Sequence, residues 1–151
     1  MKSIRVILNA GLIVGTLDIV AAFTQYMIST GKNPIIVLKF IASGLIGNTA
    51  FISGTAVSLL GMLIHYFIAF TFTLLFYMLF SRTEMTTGRK VLTGVFYGVF
   101  TWFFMRFAVL PFAKTPKMPF ELNTMLLANL ILIICIGLPL AFLMIRKPDL
   151  T

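Results

Sequence analysis

Three ionisable side chains lie inside long apolar stretches of this chain: Asp18, His65 and Arg106. An ionisable residue at the middle of a membrane span costs about 2.5 to 3.5 kcal/mol on insertion scales, so it requires a partner or a neutral form. Asp18 therefore has two interpretations of about equal weight. It either relays protons or cations, or it is a paired or protonated carboxyl that locks its helix to the neighbouring helices.

His65 is the only histidine in the chain. An imidazole can titrate near neutral pH, bind a metal or ligate haem, but a metal site needs further ligands and none is provided by a second histidine. We therefore predict no metal and no cofactor, and favour a buried neutral imidazole bonded to Asp18 or to a hydroxyl. Arg106 can either extend to the membrane interface or turn inward to form a charge-assisted bond, and we favour the inward orientation.

Small and polar residues share one face on each of the first three apolar stretches. On the first stretch this face also carries Gln25, so we predict an intramembrane polar network of Asp18, His65, Arg106 and Gln25. The glycines on these faces permit close helix approach, which favours packing within the chain over a homodimer seam. The predicted packing glycines are Gly11, Gly15, Gly61, Gly94 and Gly98.

The sequence contains no motif for covalent or hydrolytic chemistry. It has no nucleophile beside a base, no His and Cys set at zinc spacing and no phosphate-binding glycine loop, so we expect no catalytic residue and no enzyme. Cys135, the only cysteine, is expected to be a small apolar filler. Aromatic residues such as Tyr97 and Trp102 are expected at lipid-facing and interfacial positions.

The elements that must hold these residues are membrane spans. Of the 151 residues, 60% are hydrophobic and 11% charged, a composition too apolar for a soluble domain of this size. We predict an all-α, single-domain transmembrane four-helix bundle with spans at about residues 6–30, 55–80, 91–112 and 123–145.

The basic residues lie at the ends of these spans rather than along one polar face. The net charge of +8 therefore indicates membrane topology and not nucleic acid. The expected partners are the lipid bilayer and either a second copy of the chain or other membrane subunits. Cytoplasmic termini follow from the larger cluster on the terminal side, Lys2, Arg5, Arg82, Arg89, Lys90, Arg146 and Lys147, against Lys32, Lys39, Lys114 and Lys117 opposite.

The segment at residues 34–47 is apolar but too short to cross a bilayer. Asn33 is expected to cap a short interfacial helix that ends near Gly47, with Lys39 and Ser43 on its wet face. The alternative is a re-entrant hairpin, which the cost of exposed backbone at membrane depth disfavours.

Four sequence runs carry a resemblance to a known group: GTLDIVAAF, GKNPIIVLKFIASG, GMLIHYFIAF and VFYGVFTWFFMRFAVLP. Over most of its length the chain resembles small bacterial inner-membrane proteins grouped as YagU-like proteins. The resemblance implies a bacterial cytoplasmic-membrane location and a link to acid stress. It implies no substrate, cofactor or catalytic residue.

The leading functional hypothesis is a non-enzymatic membrane protein whose polar interior lines a proton, ion or small-solute path linked to stress. The alternative is a structural or accessory membrane subunit whose polar groups fix helix packing. A membrane enzyme or haem protein ranks third.

Overall fold

The structure, a computed structural model, describes residues 2–116 and 121–146. Within these ranges the chain is helical without a β-strand, and an isolated bridge joins Glu84 to Arg146. The predicted all-α bundle is therefore confirmed. In chain order the helices are α1 (Lys2–Thr30), α2 (Ile35–Ile46), α3 (Thr49–Ile52), α4 (Ala56–Phe80), α5 (Thr87–Phe104), α6 (Leu122–Leu132) and α7 (Leu138–Met144).

Four helical stretches are each long and apolar enough to cross a membrane, which is the pattern of a multi-pass membrane protein. Two of them contain a π-helical segment that the spacing of the sequence did not predict. The segment Met105–Val109 continues α5, and Ile133–Gly137 joins α6 to α7. We call the four stretches spans 1 to 4; they are Ile4–Thr30, Ala56–Phe80, Thr87–Val109 and Leu122–Met144.

Span 3 begins at Thr87, earlier than predicted, because Lys90 belongs to the bundle. The Lys90 side chain is only 3% exposed, and its ammonium donates a hydrogen bond to the backbone carbonyl of Ile145. The predicted start of this span at residue 91 left Lys90 outside the bundle and was therefore wrong. A lysine can enter a helix packing surface when its ammonium reaches the free carbonyls at the end of another helix.

The glycines predicted to permit close packing lie against neighbouring helices of the same chain. A Cβ added at Gly15 would lie 3.0 Å from the Tyr66 ring on α4, and one at Gly98 would lie 2.5 Å from Cα of Ile133 in span 4. The other three face the Phe70 ring (Gly11), the backbone of Leu38 (Gly61) and the backbone of Gly137 (Gly94). These contacts bring α1 onto α4, α2 onto α4, and span 3 onto span 4.

The apolar core fills the end of the bundle at which span 1 begins and span 4 ends, which we call the terminal end. Val14, Phe76 and Leu140 are fully buried there, and Ala10 and Met144 belong to the same cluster. Tight packing of this kind leaves no room for water. The bundle is therefore closed at its terminal end.

The ends of α2 follow the predicted signals. The backbone N–H of Ile35 donates to the side-chain oxygen of Asn33 at 3.0 Å, and Gly47 ends the helix with a φ of 70°. A positive φ of this size favours glycine, because a side chain would be strained there.

The wet face predicted for α2 is wrong. Ser43 is fully buried and its hydroxyl donates to the carbonyl of Phe40, while half-buried Lys39 donates to the carbonyl of Ser53 at 2.7 Å. α2 packs on α4, where the backbone of Leu38 meets Gly61, and the polar side chains of α2 bond to backbone carbonyls.

We expect Gly98→Ala to lower the free energy of unfolding by about 1 to 3 kcal/mol, because the added methyl group meets backbone that cannot rotate away. Equilibrium unfolding in mixed micelles measures this change. Gly88→Ala is the matched control, since it lies in the same helix with no atom within 4 Å of the added carbon. An equal loss in both variants would contradict close packing at Gly98.

Candidate functional site

Asp18 and His65 meet where α1 crosses α4. The Nδ1 atom of His65 lies 4.0 Å from Oδ2 of Asp18, and the two side chains are 9% and 19% exposed, respectively. This distance is longer than a direct hydrogen bond but short enough for a strong charge interaction in an apolar site. Gly15, one turn before Asp18, has no side chain and so lets α4 come this close.

The imidazole of His65 is oriented by the backbone of α1. Its Nε2 atom lies 2.8 Å from the carbonyl oxygen of Gly15. A carbonyl can only accept, so Nε2 must carry a hydrogen and donate it. Nδ1 is the remaining ring nitrogen, and it faces the carboxyl of Asp18.

This orientation determines how many protons the pair holds. One proton, carried by either the carboxyl or Nδ1, gives an imidazole beside a carboxylic acid or an imidazolium beside a carboxylate, and both states are neutral overall. No proton there would leave a net negative charge, and two protons would leave a net positive charge. Net charge is costly at a buried site, so the pair is most stable with one shared proton.

Tyr66 supports the pair from the neighbouring position on α4. Its hydroxyl is hydrogen-bonded to the hydroxyl of Thr16 at 2.8 Å, and its ring packs edge-on against His65 with centroids 5.5 Å apart. These contacts add a second link between α1 and α4 beside the pair.

A cavity of about 650 Å³ opens beside the pair, towards the end of the bundle opposite the termini. Its walls are almost entirely apolar. Among the residues that the structure describes, Asp18 and His65 are its only ionisable lining side chains. Apolar lining residues from all four spans and α2 include Ala22, Phe40, Ile64, Phe72, Met105 and Ala128.

Two irregular features shape the cavity. The π-helical segments of spans 3 and 4 both contribute lining residues, Met105 and Ile136 among them. Short π-helical segments inside α-helices widen the helix locally and often occur at functional sites. The other feature is α2, which covers part of the cavity and is tied to the end of span 3 by a hydrogen bond from the N–H of Lys114 to the carbonyl of Gly44, 3.0 Å long.

The other two members of the predicted network lie elsewhere. Arg106 is half-buried in the π-helical segment of span 3, does not line the cavity, and forms no hydrogen bond or ion pair within residues 2–116 and 121–146. Gln25 lines a separate groove of about 360 Å³ between spans 1 and 4, with Leu127 and Ile131. The structure thus brings together Asp18 and His65 and leaves Arg106 and Gln25 outside the pair.

Two aromatic residues expected at lipid-facing or interfacial positions are instead buried. Tyr97 is 4% exposed and donates its hydroxyl hydrogen to the carbonyl of Phe72 at 2.5 Å, while Trp102 is 9% exposed. That expectation was wrong for both. Tyr97 lies directly before Gly98 and three residues after Gly94, so the glycine face of span 3 was the signal that placed it inside.

Among the described residues, no three His, Cys, Asp or Glu side chains lie close enough together to hold a metal ion. Cys135 is half-buried within the π-helical segment of span 4.

Comparison of the chain with protein-family models, curated proteins and solved structures gave no match. The case for a function therefore depends on the geometry of the pair and its cavity.

We expect Asp18→Ala and His65→Phe to be coupled in a double-mutant cycle. Each single variant leaves one unpaired polar group in the bundle. The loss in unfolding free energy of the double variant should therefore be about 0.5 to 3 kcal/mol smaller than the sum of the losses of the two single variants. Unfolding in mixed micelles gives these free energies. As a control, Asp18→Ala and Arg106→Met should be additive within about 0.5 kcal/mol. Coupling of Asp18 to Arg106, with none to His65, would reverse our assignment of the pair.

Proposed function

We propose that the chain is a carrier for a small, largely apolar solute, and that solute movement is linked to the proton shared by Asp18 and His65. The observation that carries this proposal is the position of the pair. It lines a 650 Å³ apolar cavity whose wall reaches the packed core of the terminal end through Phe72 and Ile136. Among the described residues, a solute in the cavity meets no other ionisable side chain.

The proposal includes a location in the bacterial inner membrane with cytoplasmic termini. The apolar spans and the clustering of basic residues at the terminal end support it. The resemblance to YagU-like proteins supports the same location and a role in acid stress, where a proton-linked carrier would respond to the outer pH. Lys117 and Lys147, which contribute to the charge asymmetry, lie outside the described residues.

In this orientation the cavity faces the periplasm and α2 lies on the periplasmic side of it. The closed terminal end then separates the bound solute from the cytoplasm. Transport requires the core around Val14 and Phe76 to open while the outer side closes, as in alternating access. The glycine contacts between spans provide surfaces on which the helices can slide.

Proton flux in proteoliposomes tests the proposal. A pH-sensitive dye is trapped inside, the membrane potential is clamped, and one of three aromatic solutes of similar size is added: benzyltrimethylammonium, neopentylbenzene or 3-phenylpropanoate. We expect at least one of them to drive proton movement in the native protein and not in Asp18→Asn, because the variant cannot exchange the shared proton.

Glu121→Gln is the matched control, since it removes a carboxyl that is exposed outside the cavity. It should retain the native flux. The carrier proposal would be overturned if none of the three solutes drove proton flux. It would also be overturned if the flux were equal in the native protein and in Asp18→Asn. The chain would then be better described as a structural or accessory subunit in which the pair only fixes helix packing.

A disulfide between α2 and the end of span 3 tests the part played by α2. A Cβ built at Gly44 lies 3.7 Å from the Cβ of Ala113, a spacing suited to a disulfide. In a Cys135→Ala background, we expect Gly44→Cys with Ala113→Cys to form the bond on mild oxidation and to lose most solute-driven flux. Reductant should restore the flux, and each single cysteine variant should be insensitive to oxidation. Undiminished flux in the crosslinked protein would show that α2 does not move during transport.

A further inference from the structure

We infer that the cavity binds an organic cation with an apolar body, such as a quaternary or protonated amine, in exchange for the proton shared by Asp18 and His65. This inference rests on the carrier proposal and names its substrate class. It follows from which atoms a ligand can reach, which charges surround them, and how the proton must balance.

The ionisable group that a ligand in the cavity can reach most easily is the carboxyl of Asp18. Its side chain is 19% exposed against 9% for His65, and both line the cavity. The imidazole has no donor left for a ligand, because Nε2 donates to the carbonyl of Gly15 and Nδ1 faces Asp18. A carboxylate without its proton is an acceptor with negative charge, which attracts donors and cations.

The charged and titratable groups on the surrounding elements do not favour an anion. On α4, Tyr66 is hydrogen-bonded to Thr16. On α2, the ammonium of Lys39 is held by the carbonyl of Ser53, and in span 3 Arg106 does not line the cavity. In span 4, Cys135 is not a lining residue. Within the described residues, no lysine or arginine therefore lines the cavity to pair with an anion.

The walls favour an apolar and partly aromatic body. Phe40 of α2 and Phe72 of α4 are both lining residues. The faces of aromatic rings attract cations, most strongly where water is excluded. A volume of about 650 Å³ accommodates a ligand with one aromatic ring and a substituted ammonium group.

The proton balance makes binding an exchange. The empty pair is neutral with one shared proton, so a monocation entering beside it would leave a net positive charge in an apolar cavity. Loss of that proton to water leaves the Asp18 carboxylate beside the cation and His65 as a neutral imidazole, and the site is neutral again. One cation binds, one proton leaves, and no bond between heavy atoms forms or breaks.

The exchange determines how the affinity for the cation changes with pH. A bound proton competes with the cation, so affinity should rise as pH rises, by up to about tenfold per pH unit while the empty pair still holds its proton. Above the pH at which the empty pair loses its proton, affinity should become constant. A neutral ligand displaces no proton, so its affinity should not change in this way.

Calorimetric titration of the full chain in phosphatidylcholine nanodiscs, with empty nanodiscs subtracted, tests this exchange. The probes are benzyltrimethylammonium and neopentylbenzene, which have the same shape and differ in the central nitrogen or carbon atom. We expect the cation to bind more tightly at pH 8 than at pH 6. Titrations in two buffers of different ionisation enthalpy should show about one proton released per cation bound and none with neopentylbenzene.

Asp18→Asn should weaken cation binding at least about tenfold and remove proton release, with a much smaller change for neopentylbenzene, whereas Glu121→Gln should match the native protein. The native comparison of the two probes stands by itself if Asp18→Asn does not fold. Cation binding without proton release, or cation binding no tighter than that of the hydrocarbon at pH 8, would overturn the inference. If neopentylbenzene still drove flux that depends on Asp18, the carrier proposal would survive that failure.

Discussion

A carboxyl group inside an apolar bundle must be neutralised, and most of this structure can be understood from how Asp18 meets that requirement. Its partner is the only histidine in the chain, and that histidine is held by a backbone carbonyl rather than by another charged residue. The carbonyl belongs to Gly15, whose missing side chain also permits the close crossing of α1 and α4. One glycine therefore provides both the space for the imidazole and the atom that orients it.

The pair also marks the boundary between two different halves of the bundle. Towards the termini, residues from all four spans fill the interior, and the ammonium of Lys90 and the hydroxyl of Tyr97 bond to backbone carbonyls. Towards the opposite end, two π-helical segments and α2 line a largely apolar cavity. Dense packing resists the entry of a ligand, whereas an apolar cavity with a few polar groups is typical of a ligand site. The difference between the halves supports a carrier more than a continuous pore.

Much of the fold could be predicted from composition and periodicity. Long apolar stretches predicted four helices, and steps of three and four residues placed the glycines on faces that contact other helices. The same periodicity placed Asp18 and His65 on facing surfaces. Hydrogen bonds between side chains and backbone groups far apart in the sequence could not be predicted in this way. The charges of Lys90 and Lys39 suggested that their ammonium groups lie in water. In the structure, their long side chains reach backbone carbonyls that are distant in sequence.

The π-helical segments, the position of Arg106 and the cavity also could not be predicted from the sequence. The π-helical segments have no simple sequence signal, and each one shifts the faces of the residues that follow it. Arg106 lies inside the first of these segments and does not line the cavity, although an inward orientation was predicted. The cavity itself depends on how α2 folds over α4, which a short apolar stretch between two spans does not specify.

Nitrogen NMR of the histidine side chain tests the neutral pair most directly, because His65 is the only histidine and its signals need no assignment. In full-length protein labelled with ¹⁵N-histidine in lipid bilayers, we expect Nε2 to carry a hydrogen throughout the pH range in which the pair is intact. The Nδ1 signal should respond to the protonation of the neighbouring carboxyl, a response that disappears in Asp18→Asn and persists in Glu121→Gln. An imidazole with its hydrogen on Nδ1 and none on Nε2, or an Nδ1 signal unchanged by Asp18→Asn, would contradict the shared proton and with it this account of the site.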